Sequence, residues 1–139
     1  MSLRRFASIS SAAAVFMMAL AVVPFPARAQ DMPAMQTDGE ARFVCGGVGS
    51  DESTAMRAAM NSHPLALLFA RADGAYLADV GVTVTDAGGK PALKTRARGP
   101  VCLVDLPAGK YTVEADVEGN LKKQTVTLGG KPATVDFRF

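Results

Sequence analysis

The residues that could do chemistry fall in four places. The stretch "CGGVGSDEST", Cys45 to Thr54, clusters glycines ahead of acidic and hydroxyl side chains and a helix-like run. That is the outline of a phosphate-cradling loop. A Walker-type loop needs a lysine after its last glycine, and none follows here. Gly47 and Gly49 begin a G-x-G-x-x-G pattern, but Glu52 stands at the third glycine position. Asp51 and Glu52 would occupy the positive end of the following helix and repel a phosphate. The loop therefore reads as a tight turn beside Cys45, with Ser50 as N-cap of the helix. No cofactor-binding residue is assigned.

His63 is the single histidine of the chain. It precedes Pro64, and no G-x-S-x-G motif accompanies it, so a Ser-His-Asp or Cys-His site finds no support. No catalytic residue is assigned, and the chain is read as a non-enzyme. Met32, Met35, Met56, Met60 and His63 together suggest a soft-metal site. Helix-on-sheet packing is the stronger reading, since Met56 and Met60 lie four residues apart and Met32 and Met35 fall in the tail, and no metal ligand is assigned. Tyr76, in "DGAYLADV", is the one candidate for a ligand contact, as an exposed ring at a strand start. Without tryptophan, a carbohydrate platform would rest on that ring alone.

Cys45 and Cys102 are the only cysteines. In an exported chain an even count reads as a disulfide, and only one pairing exists. A redox pair is normally close-spaced, as in C-x-x-C, and a metal site needs more ligands. Export itself is read from "MSLRRFASISSAAAVFMMALAVVPFPARAQ". Arg4 and Arg5 precede an uncharged apolar run, Ala12 to Val23, and Ala27-Arg28-Ala29 forms an A-x-A cleavage site. The run is shorter than the roughly 20 residues a membrane-crossing helix needs. No cysteine lies at the cleavage site, which argues against a lipid anchor. The expected location is periplasmic or secreted, after cleavage near Ala29, with no membrane insertion of the mature chain.

Three of the 15 Lys and Arg residues lie in this leader, leaving 12 against 13 acids. A mature net charge of −1 offers no basic stripe for nucleic acid.

The elements that must position these residues follow from periodicity. Residues 1–29 are the signal peptide and 30–41 a flexible tail. Residues 42–64 form a glycine-rich loop and a short helix, with Ala55, Met56, Ala59 and Met60 as its apolar stripe. Residues 65–139 form a β-sandwich. "LALLFAR" (65–71) is apolar enough to be buried on both faces. "LADVGVTVTD", "KYTVEADVE", "KKQTVTL" and "ATVDFRF" alternate with period two, and "PALKTRAR" and "PVCLVDL" add two shorter strands. Turn signals such as Asp86-Ala87-Gly88-Gly89 and Leu106-Pro107-Ala108-Gly109 separate them. The class is mainly β: seven antiparallel strands in a sandwich, with one short N-terminal helix.

The run "ADVGVTVTDAGGKPAL…GPVCLVDLPAGKYTVEADVEGNLKKQTVTL" resembles the carboxypeptidase regulatory-like domain, a transthyretin-like (prealbumin-type) seven-stranded sandwich. The matching parts are the "VTVTDAGGK" strand and turn, the "LPAGKYTV" corner from Leu106 to Val113, and Gly119 after it. The resemblance covers roughly Leu65 to Phe139. Mechanically, Pro107 and Gly109 set a tight turn and Tyr111 enters the core at the start of the next strand. The arrangement is similar to that of uncharacterised exported proteobacterial proteins carrying this domain. It implies a binding or structural module rather than a reaction. Transthyretin-related hydroxyisourate hydrolases need several histidines and a Tyr-Arg-Gly-Ser ending; this chain has one histidine and reads "DFRF" there. Iron-binding intradiol dioxygenases need two histidines. The expected role is contact with an unidentified protein partner in the cell envelope, through edge strands and the loops at one end. The alternative is a ligand-binding module for carbohydrate or a soft metal.

Overall fold

The computed structural model describes residues 22–24 and 32–139. The expected signal peptide and its cleavage site lie outside the described residues, apart from 22–24. Nine strands, one α-helix and one 3₁₀ turn make up the described chain.

The strands are β1 (Gln36–Asp38), β2 (Ala41–Gly46), β3 (Leu65–Ala70), β4 (Val80–Asp86), β5 (Pro91–Ala97), β6 (Val101–Asp105), β7 (Gly109–Val117), β8 (Asn120–Leu128) and β9 (Ala133–Arg138). They form two sheets. Sheet A runs β1-β2-β6-β3-β9 and sheet B runs β5-β4-β7-β8. Alternation decides which side chains turn inward. Phe43, Leu65, Leu67, Phe69, Val104, Val135 and Phe137 of sheet A join Val80, Val82, Val84, Leu93, Tyr111, Val113 and Ala115 of sheet B in one buried cluster. The fold is thus mainly β and sandwich-like. Phe69 and Phe137 stack with ring centroids 5.8 Å apart, joining the two strands at one side of sheet A.

The seven strands read from the sequence are β3 to β9. Two corrections follow. Within residues 36–46, read as the end of a tail and the start of a glycine-rich loop, Gln36–Asp38 and Ala41–Gly46 are strands β1 and β2. Ala41 and Phe43 of β2 face the central core while Val44 faces a second cluster on the opposite side. Apolar residues on both faces hide the period of two. The second correction is direction. β3 pairs with β9 in parallel, Leu65 opposite Ala133 through Ala70 opposite Arg138, so the sandwich is not wholly antiparallel. Alternation gives faces and carries no information about direction.

The expected burial of "LALLFAR" on two faces holds for β3. Leu65, Leu67 and Phe69 enter the main core, and Ala66 and Leu68 enter the second cluster. That cluster exists because helix α1 (Ser50–Ala59) lies across the outer face of sheet A. Ala55 and Met56 are its buried residues, and Ala59 and Met60 pack beside them. A 3₁₀ turn, Met60–Ser62, carries the chain to His63, whose extended backbone leads into β3. Ser50 is not the N-cap. Gly49 takes that position at φ 86°, and Ser50 opens the helix. Asp51 and Glu52 do lie in the first turn, where carboxylates suit the helix dipole.

Candidate functional site

The disulfide expected from the sequence is present. Cys45 of β2 stands directly opposite Cys102 of β6, with Cα atoms 4.1 Å apart. It is a cross-strand bridge inside sheet A. Cys102 is buried and Cys45 half-buried.

The glycine stretch after Cys45 is a packed joint. Glu52 Oε1 accepts a hydrogen bond of 2.8 Å from the Gly47 amide. A carboxylate therefore holds the backbone donor that a phosphate would need. Gly46 lacks a side chain because there is no room for one. A Cβ there would lie 2.2 Å from Glu52 Oε1, 3.0 Å from Met56 Sδ and 3.2 Å from Pro33 Cγ. Across the sheet, a Cβ on Gly99 would lie 2.3 Å from the Gly46 carbonyl oxygen. Close approach accounts for both glycines, by side chains at Gly46 and by backbone at Gly99.

His63 has a partner that the sequence did not suggest. Its Nδ1 lies 2.6 Å from Asp105 Oδ1, 42 positions along the chain. Asp105 ends β6, on the same outward face as Val101 and Leu103, and His63 leaves the 3₁₀ turn beside it. The carboxylate favours the tautomer with the proton on Nδ1. His63 borders a hollow of about 310 Å³ with Ser62, Leu106, Lys131 and Pro132 on its walls. Among the described residues the His63 imidazole has this orienting acid as its hydrogen-bond partner. Its evident work is to fasten the helix exit to the end of β6.

Tyr76 is 61% exposed, as a ligand platform requires. One of its faces is already taken. The Arg57 guanidinium lies over the ring, 4.6 Å from the centroid, while its Nη2 is buried without a hydrogen-bond partner. Cation–π attraction thus joins α1 to the loop after β3.

Sheet B has an open outer face. Cross-strand register sets Arg96, Gly81, Asp116 and Leu121 in one row and Lys94, Thr83, Glu114 and Lys123 in the next. Gly81 leaves a hollow of about 430 Å³ bordered by both rows. The Lys123 ammonium is 3.0 Å from the Glu114 carboxylate. Arg96 pairs with Asp79, and that hydrogen bond holds the Asp79 carboxyl below the usual carboxylate range.

β8 closes this face and is the longest free edge among the described residues. It spans nine residues, against three, seven and six for the other outer strands, β1, β5 and β9. The edge of β5 is partly engaged, since the Lys94 amide donates to Asp38 Oδ2 at 3.1 Å. In β8, Asn120 to Thr125 are exposed, Leu121 by 50%. Lys122 and Gln124 have the parity of core residues, opposite Ala115 and Val113. Instead of burying, they span the open side of the sandwich. Gln124 Nε2 donates to the Asp136 carbonyl at 2.8 Å, and the Lys122 ammonium lies 5.6 Å from the Phe139 ring centroid.

Among the described residues no group of three or more His, Cys, Asp or Glu side chains is placed to hold a metal ion. None of their helices is long and apolar enough to cross a membrane. No family model and no curated protein matches the chain.

Proposed function

We propose that this chain is an exported, non-enzymatic interaction module of the cell envelope, built as a carboxypeptidase regulatory-like domain of the transthyretin-like class. The Tyr111 corner supports the class. Its hydroxyl donates a hydrogen bond of 2.8 Å to the Pro107 carbonyl, fixing the "LPAGKYTV" turn from which that likeness was read. The disulfide supports an oxidising compartment.

The free edge of β8 carries the functional reading. An exposed strand edge is a template for another strand, and β-strand addition is a recurrent way of binding extended segments. The occupant we assign is an extended acidic segment of a partner protein. β8 bears Lys122 and Lys123 and no acid, and Leu121 offers an apolar contact beside the Gly81 hollow. Main-chain pairing along the edge would supply affinity, and the lysines would select the sign of charge.

Photo-crosslinking residues placed at Leu121, Lys123 and, as a control, Ala87 test this in native envelopes. Crosslinks to one partner from 121 and 123 but not 87, with slowed amide exchange over 120–128 in the complex, are expected. Equal crosslinking at all three positions, or amides of β8 that exchange as in the free protein, would refute the assignment.

A further inference from the structure

All four methionines of the described residues meet in one place. Met32 and Met35 precede β1, Met56 lies in α1, and Met60 opens the 3₁₀ turn. Met56 is fully buried among Val44, Ala66, Val101 and Leu103, and the other three pack against the same cluster, half-buried. The main core between the sheets contains no methionine. Thioethers used only as gap-fillers would have no reason to avoid that larger core. Two chain segments each bring a pair instead, three apart before β1 and four apart at the end of α1. Gly46 packs directly against the deepest sulfur, since a Cβ there would lie 3.0 Å from Met56 Sδ.

We propose that this cluster is a thioether site for a soft monovalent metal ion, Cu(I). Soft sulfur ligands select Cu(I), whereas carboxylates and carbonyls suit hard ions. Both cysteines are spent in the disulfide, so thioethers are the only soft sulfur donors left to the described chain. Thioethers carry no proton to displace, so binding does not depend on deprotonating a ligand, as it does for thiols and imidazoles. His63 is not in the cluster, and its Nδ1 is engaged by Asp105. Met32, Met35 and Met60 are half-buried residues, which gives the ion a way in, and Met56 supplies a fully buried ligand. The site lies across the outer face of sheet A, so the inference is independent of the partner-binding role assigned to β8.

The test uses the disulfide-bonded protein without added thiol. Cu(I) is titrated anaerobically against a chromophoric Cu(I) chelator. Expected is one equivalent retained by the protein. Losing outer-shell partners of a metal site costs about 10–100-fold in affinity, so removing two ligands should cost more than about 100-fold. Met32→Leu/Met35→Leu is the decisive variant, because both residues lie outside helix and strand, and Met-to-Leu exchange is well tolerated. Ag(I), a redox-inert stand-in, should move the methyl-carbon resonances of all four methionines. The proposal is overturned if the chelator keeps all the Cu(I). It is equally overturned if the double variant binds as wild type does, or if Ag(I) moves fewer than three of the four resonances.

Discussion

Replacing Gly99 by alanine should weaken the fold by forcing two backbones apart. Gly99 precedes Pro100 and β6, and its Cα faces the end of β2. An alanine Cβ would lie 2.3 Å from the Gly46 carbonyl oxygen, 2.5 Å from its carbon and 3.0 Å from its Cα. Ordinary contact begins at 3.4 Å, so the strand ends would have to separate by about 1 Å. No flexible side chain can absorb that shift. The displaced residues adjoin Cys45 and the buried Val101. Overpacking of this kind costs about 1–3 kcal/mol, and a backbone obstacle places Gly99→Ala in the upper half of that range. Gly130→Ala is the control, since a Cβ there meets nothing within 4 Å. It should be neutral, or stabilising by up to about 1 kcal/mol through the unfolded chain. Urea unfolding followed by circular dichroism suits a protein without tryptophan. The midpoint of Gly99→Ala should fall with an unchanged slope. If its stability lies within about 0.5 kcal/mol of wild type, the ordinary range of surface changes, then the close approach is not a constraint and the reasoning fails.

Two further substitutions probe the ties around it. Cys45→Ala/Cys102→Ala removes a bridge between positions 57 apart, and should cost about 4 kcal/mol on the chain-entropy model, read from the urea midpoint. Tyr111→Phe should cost about 1 kcal/mol near neutral pH by removing the hydrogen bond to Pro107. It should also change the alkaline limb of stability. Burial, with the nearby charges of Asp86 and Glu40, raises the Tyr111 pKa above its ordinary value of 10.0. The folded state therefore favours the neutral phenol. Its contribution is complete below the unfolded value and is lost as pH rises through the folded one. Wild-type stability should fall in that window, and the phenylalanine variant should lack this component of the loss. An unchanged alkaline profile in the variant would show that Tyr111 does not contribute to it.

Much of this architecture was legible because alternation is a local property. Val80, Val82 and Val84 announce their buried face within seven residues, and the structure buries all three. The apolar stripe of α1 was equally visible, and it covers a sheet as its spacing implies. What was hidden depends on distant partners. β2 carries Phe43 toward one cluster and Val44 toward another, so its pattern looked like loop. The parallel pairing of β3 with β9 leaves no trace in either segment. The acid that holds His63 lies in another strand, and a lone aspartate closing an apolar run looks like an ordinary surface end. The glycines near Cys45 were conspicuous, but what they make room for is set by Glu52, Met56 and Pro33 converging from two other segments.

The position of β3 sets a timetable for folding. A chain is made from its N-terminus, so β3 exists before either of its neighbours. β6 arrives first, and with it Cys102, whose only possible partner Cys45 is already waiting. Oxidation at that point has no wrong pairing to choose. The other flank of β3 stays open until Ala133–Arg138 is available, and the Phe139 amide then closes onto the Ala70 carbonyl at 3.0 Å. Between those events an apolar strand has one bare edge, the condition in which strands recruit copies of themselves. Helix α1 and the cross-strand bridge can form during that interval. They cover one face of the unfinished sheet and pin one of its strand pairs while β3 awaits its last neighbour.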